Sequence, residues 1–395
     1  MRAVFSRIGS KISCDANTVT GFLICAALIG RRVFIFAALV LAGAGLAKRF
    51  LKHDVPAGPV PAEAPTALSR PSSDAAFRPP HDYRSIAVPD LSPLHDAMSD
   101  AIVGQRAAID TLVLALVAGG HALLEGAPGL AKTLACRTMA AAIDASFSRI
   151  QCTADLSPAD IVGSEIFDQR DLSFRTRRGP IFANVVLADE INRAPARTQA
   201  ALLEALEEGQ VTIACTVHRL PDPFFVLATM NEAEADGIYA LGAAQADRFL
   251  LKEVLDFPDP HQDLQILDRA GGSWTPNRRK AVSIETVRTW RESAAAIYCA
   301  PRLREYVVAL VRATRDKGTD FGLECGAGPR GALAMLRAAR AKAMLAGRSY
   351  VLPADVRSVA PAALRHRISF SPALLLGRGE TEDRLKAIVD AVPLP

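Results

Sequence analysis

Gly126-Ala127-Pro128-Gly129-Leu130-Ala131-Lys132-Thr133 is the stretch that decides the fold. Before it, His121 to Glu125 reads as a short strand, and after it Lys132 to Ala145 reads as a helix. A glycine-rich turn between a strand and a helix is the setting in which a phosphate loop is credible. Gly126 and Gly129 let the backbone curl so that its N–H groups face the β- and γ-phosphates, and the helix adds the positive end of its dipole. Lys132 would neutralise phosphate charge, and the Thr133 hydroxyl would hold Mg²⁺. The strict pattern has glycine before the lysine, where Ala131 stands here. A turn that binds nothing has a similar composition, so the reading needs partners elsewhere.

The first partner is Val185-Val186-Leu187-Ala188-Asp189-Glu190, 56 residues from Thr133 to Asp189. Four apolar residues make a buried strand, and two carboxylates stand at its C-terminal end, the edge of a parallel sheet where ligands bind. Asp189 would complete the Mg²⁺ shell and Glu190 would polarise the attacking water. The strand Phe224 to Thr229 ends near Asn231, whose amide would orient that water; a plain turn asparagine is the alternative. Arg248 follows a short helix and would reach a neighbouring subunit's γ-phosphate, or else pair with Asp247 or another surface acid. Arg330, opening a helix at Gly328-Pro329-Arg330, would touch phosphate from the other side, or else cap that helix. Upstream, the turn at Ile102-Val103-Gly104-Gln105 would lay Val103 and Gly104 against the adenine. The cofactors expected are therefore ATP and Mg²⁺.

Farther out, strands and helices alternate, predicting an α/β parallel sheet with helices on both faces. That core is expected over 91–258, followed by an all-α lid over 259–395 in which strands stop beyond Pro258. Val211 to Arg219 reads as a hairpin. Leu156 to Phe182 carries an insert with Arg175, Arg177 and Arg178, either a solvated face or a pore or partner surface. Residues 53–90 hold eight prolines and read as a linker. Residues 1–52 hold eight cations and one acid, a balance of +7, which leaves the rest of the chain at −3 against a total of +4. The body thus lacks the basic excess that would point to nucleic acid. Seven cysteines without a CxxC pair suggest neither a disulfide framework nor a zinc site, and a reducing compartment follows.

The leader contains an uncharged apolar run of 15 residues from Val33 to Ala47. As a helix this spans about 22 Å, short of a hydrocarbon core of about 30 Å. Extending it to 21–47 buries Arg31 and Arg32 near its middle. A membrane anchor, a leader from a misassigned start and a twin-arginine export signal all stay open. ATP chemistry favours the cytoplasm, with 21–47 the candidate attachment to the inner membrane.

From Ile102 to about Ile368 the chain resembles the MoxR-type AAA+ ATPases. The resemblance rests on IVGQ, GAPGLAKT, GPIFANVVLADEINRAPARTQAALLEALEEGQV, AQADRFL, GPRGALAMLRAARAKAMLAGRSYVLPADV and LRHRI. Alanine at position 131 is usual in that family. The resemblance implies a P-loop NTPase core and lid, and a homo-oligomeric ring, a hexamer by family resemblance, with ATP at subunit boundaries. It also implies chaperone-like remodelling of a client protein beside a von Willebrand factor A-domain partner. Two other readings stand beside it: a nucleotide-gated scaffold with little turnover, and a chelatase-type metal-insertion motor. The chain departs from the family at Met230-Asn231-Glu232, where Gln-Asn-Pro is usual, and at 240–245, which lacks the usual prolines and glutamate.

Overall fold

The computed structural model describes residues 74–80, 87–127, 129–170, 172–231, 239, 241–271, 281–316, 322–371, 374 and 377–395. The leader at 1–52, its candidate attachment at 21–47 and most of the linker lie outside these residues. Among the described residues no helix is long and apolar enough to cross a membrane.

Two helices, α1 (Ser92–Ala101) and α2 (Arg106–Val117), lead into β1 (Ala122–Glu125), and the glycine-rich loop joins it to α3 (Lys132–Ala142). There follow β2 (Phe147–Gln151), α4 (Pro158–Val162), a hairpin of β3 (Gly163–Asp168) and β4 (Ser173–Arg178), and β5 (Val185–Asp189). Next come α5 (Ala196–Glu208), the hairpin β6 (Gln210–Ile213) and β7 (Thr216–Arg219), β8 (Phe225–Met230), the short α6 (Ala243–Ala246) and β9 (Leu251–Val254). The remainder comprises α7 (Pro260–Gly271), α8 (Ile284–Ala296), α9 (Pro301–Asp316), β10 (Leu323–Cys325), α10 (Pro329–Leu345), α11 (Pro353–Leu364), β11 (Ser369–Phe370) and α12 (Arg378–Asp390).

The main sheet has the order β2-β5-β8-β1-β9, every neighbour parallel. Its inner strands are apolar runs because both faces are covered. Side chains alternate across the pleat. Val185, Leu187, Phe225 and Leu227 join the core packed under α1, α2 and α3, while Val186, Ala188, Val226 and Ala228 join the core packed under α5. This alternation sets the register that aligns the C-terminal ends of β1, β5 and β8.

The strands do not stop at Pro258: β10 and β11 pair antiparallel in the helical region. Segments of three and two residues are too short to show a period of two. Edge strand β9 was also absent from the pattern, because Leu251-Lys252-Glu253-Val254 is half charged.

Helices α8 and α10 are fastened to the C-terminal end of α2, where backbone carbonyls lack helical partners. Arg337 donates to the carbonyls of Ala118 and Gly119, and Arg291 Nε donates to that of Leu116 at 2.9 Å. Cations are favoured at this pole of a helix. The consequence is positional: the start of α10, with Arg330, is carried to the N-terminal end of β1.

Candidate functional site

The phosphate loop leaves the C-terminal end of β1 as the sequence predicts. Gly126 N–H donates to the carbonyl of Met230 at 3.3 Å, which lashes the loop to the end of β8. A Cβ at Gly126 would lie 2.9 Å from Leu255 Cβ, so the position is closed to larger residues. Gly129 has φ +87° and Ala131 φ 56°, both left-handed. Glycine takes that conformation freely, and alanine carries a strain of about 1–2 kcal/mol there. The loop thus keeps the curled path at Ala131 without the usual glycine. Lys132 is buried at 9% exposure, and its ammonium donates to the Gly126 carbonyl at 2.7 Å, inside the curl. Burial lowers its pKa, opposed by Asp189, Glu190 and Glu125. Thr133 follows it in the first turn of α3. Pro128 lies outside the described residues.

Asp189 ends β5, buried at 9% exposure. Its Oδ1 accepts the Thr229 hydroxyl at 2.7 Å, and that hydroxyl accepts the Glu190 N–H at 2.8 Å. One β8 side chain therefore fixes both acids. Glu190 sits at φ 57°, ψ 53°, a left-handed turn that a non-glycine residue adopts at a cost. Its carboxylate accepts from Arg193 at 3.0 Å and from Gln151 at 3.4 Å. Asn231 follows β8, is 5% exposed, and its carbonyl accepts the Asn192 amide at 3.0 Å. Lys132, Asp189, Glu190 and Asn231 are therefore gathered at one edge of the sheet.

Arg149 is a member that sequence reasoning missed. From β2 its Nη2 and Nε donate to Asp189 Oδ2 at 2.6 and 3.2 Å, and its Nη2 also reaches Gln151 Oε1. Arg149 and Gln151 are two apart on a strand next to β5, with Gln151 opposite Asp189 in register. The usable signal was polar alternation in an otherwise apolar sheet.

An apolar cleft adjoins the loop, lined by Ile102, Gln105, Leu112, Leu130 and Leu255 together with Ala131 and Lys132. It is shaped by the turn that the sequence singled out, but its lining residues are Ile102 and Gln105, which flank Val103 and Gly104. Gln105 Nε2 donates to the Asp256 carbonyl at 2.9 Å and holds that wall in place.

Arg248 and Arg330 are not beside Lys132. Both line a cavity with Gly120 and His121 at the other end of β1, about 13 Å of strand away at roughly 3.3 Å per residue. Arg248 Nε lies 3.5 Å from Glu207 Oε2, and Arg330 Nη2 pairs with Glu207 Oε1. Asp247 is engaged elsewhere, accepting Arg367 Nε at 2.7 Å. Beneath them His121 is neutral: its Nδ1 accepts the Val226 N–H at 3.0 Å, so Nε2 carries the proton given to the Leu206 carbonyl at 3.0 Å. Burial first, then Arg291 and Arg337, push its pKa down to about 4.

The donors at the loop edge fit the expected cofactors. A hydroxyl and a carboxylate oxygen are hard ligands of the kind Mg²⁺ takes alongside nucleotide phosphates, and the curled loop and buried ammonium suit a polyphosphate. Comparison with known proteins agrees. The model of the ATPase family associated with various cellular activities (AAA) matches residues 121–251, and that of the AAA lid domain matches 318–388. The chain is 41% identical over 301 residues to Chaperone MoxR1 of Mycobacterium tuberculosis, covering 74% of this chain and 79% of that one. It is 30% identical over 321 residues to Protein MoxR of Methylorubrum extorquens, covering 75% and 93%. A crystal structure of a candidate ATPase from Cytophaga hutchinsonii superposes with a TM-score of 0.70 at 38% identity, covering 77% of this chain and 94% of its own. With fold, phosphate loop and relatives in agreement, the chain is an AAA+ ATP hydrolase and belongs to the MoxR family.

Proposed function

We propose that this ATPase hydrolyses ATP at the boundaries of a homo-oligomeric ring, a hexamer by family resemblance, and uses the cycle to remodel, mature or activate a client protein. The observation that carries the reading is the division of the site between the two ends of β1. Lys132, Asp189, Glu190 and Asn231 lie at one end, and Arg248 and Arg330 at the other. No single subunit brings both sets to one phosphate, so a neighbour's arginines complete the reaction.

In this reading the loop from Gly126 to Thr133 cradles the phosphates, and the apolar cleft at Ile102 and Leu255 receives the adenine. Thr133 and Asp189 hold Mg²⁺, which when bound neutralises charge on the β- and γ-phosphates. Glu190 takes the proton of the attacking water, and Asn231 orients that water. Arg248 and Arg330 face the charge that develops on the transferred phosphoryl group. We assign client contact to the β3–β4 hairpin. It exposes Phe167 and Phe174 at 50% and 69%, their rings 5.3 Å apart, beside the exposed Arg175 and Arg177. The family resemblance supports a von Willebrand factor A-domain partner, and ATP as fuel supports a cytoplasmic site of action.

The test is ATP turnover of the full chain and of Glu190→Gln across a protein concentration series with Mg²⁺. Turnover per subunit that rises with concentration and is lost in the variant supports the reading. Tight ATP binding with turnover equal in both would replace it with the scaffold reading.

A further inference from the structure

Glu207 lies in the last turn of α5, where the helix dipole disfavours an acid and where no basic residue stands to offset it. Its placement does not serve the helix. Its carboxylate instead bridges two guanidinium groups from separate parts of the fold, Oε2 towards Arg248 and Oε1 towards Arg330. The surrounding cavity, about 370 Å³, also holds Arg337 and Arg367. Those two are already committed, Arg337 to the carbonyls of Ala118 and Gly119 and Arg367 to Asp247 and the carbonyls around it. Arg248 and Arg330 are thus the pair that Glu207 shares, with one oxygen for each. Two oxygens of one anion, each facing a separate guanidinium group, is also how a terminal phosphate is held.

We propose that Glu207 is a built-in stand-in for the neighbouring subunit's terminal phosphate. It occupies Arg248 and Arg330 in the isolated subunit and yields them when the ring closes around ATP. The proposal rests on the reading that these arginines act across the boundary. The pairs suit exchange: the side chains of Glu207, Arg248 and Arg330 are 38%, 30% and 46% exposed. Ion pairs so open to water are weak. They hold the arginines in place without outcompeting a phosphate oxygen pair of higher charge. Glu207 therefore sets the protein concentration at which the ATPase switches on, and leaves the chemistry of the assembled ring unchanged.

The experiment measures ATPase activity of the full chain against protein concentration at saturating Mg²⁺ and ATP, for the natural sequence, Glu207→Gln and Glu208→Gln. Glu208 is an exposed acid at the same helix end that pairs with neither arginine in this arrangement and controls for net charge. Glu207→Gln is expected to lower the half-maximal concentration about three- to tenfold, the scale of two exposed pairs, with maximal turnover per subunit within about twofold. Glu208→Gln should not move it. An unchanged or raised midpoint in Glu207→Gln, an equal shift in Glu208→Gln, or a large loss of maximal turnover overturns the proposal. Melting curves of both variants show that each is folded before it is scored. Arg248→Ala measured alongside separates the two layers. Full turnover in that variant overturns the trans reading beneath the proposal. Lost turnover there, with no midpoint shift in Glu207→Gln, overturns the proposal alone.

Discussion

Replacing Arg149 by alanine should tighten Mg²⁺ binding at the nucleotide site. Arg149 places two donors on Asp189 Oδ2, while Oδ1 is taken by Thr229, so both carboxylate oxygens are already engaged. A metal ion sharing Asp189 must compete with a guanidinium of the same sign of charge. Charge-assisted hydrogen bonds contribute about 1.5–3 kcal/mol when enclosed. The Arg149 side chain is 43% exposed, which brings the pair down to about 1 kcal/mol. That corresponds to roughly a fivefold gain in Mg²⁺ affinity for Arg149→Ala. The assay is a Mg²⁺ titration of the ATP-loaded full chain followed by calorimetry, in a Glu190→Gln background that blocks turnover. Weaker Mg²⁺ binding in Arg149→Ala would refute the reasoning, because it would mean that the arginine orients Asp189 for the metal.

Ala131→Val should weaken ATP binding about tenfold, since a β-branched residue at φ 56° adds strain of about 1–3 kcal/mol to the loop, while Ala131→Gly keeps full affinity; nucleotide titrations read both. Arg337→Ala removes the donors to the Ala118 and Gly119 carbonyls and should destabilise the docking of α10 by about 1–2 kcal/mol, seen as a lower denaturant midpoint. His121 has a pKa of about 4 in the fold against 6.5 outside it, so the fold favours its neutral form. Its contribution is present above pH 6.5 and is lost as pH falls towards 4, about 3 kcal/mol at most, and His121→Gln should flatten urea midpoints across that window. His366, also buried and lowered, leaves a residual slope in the same direction.

The loop and the acid pair were legible because their chemistry is contiguous. Glycines, Lys132 and Thr133 lie within eight residues, and Asp189-Glu190 terminates an apolar strand whose only stable place is inside a parallel sheet. Alternation along β2 sets Arg149 and Gln151 on one polar face, but their contacts with Asp189 and Glu190, like those of Thr229, come from the β2-β5-β8 order, a long-range property that no local pattern encodes. Position 330 shows the same limit. Its residue type and helix start were readable, but its location depends on Arg337 and Arg291 capping α2, which swings α10 to the far pole of β1. The β3–β4 hairpin was seen only as an insert, since its apolar residues face water and so carry no core-facing period.

The most direct test of the central claim is subunit complementation between Glu190→Gln and Arg248→Ala full-length chains. Each variant alone should be nearly inactive. Mixed in equal amounts, random rings should restore activity at about a quarter of the boundaries, where an intact Glu190 meets an intact Arg248 from next door. Mixtures no more active than the separate variants would contradict hydrolysis completed between subunits.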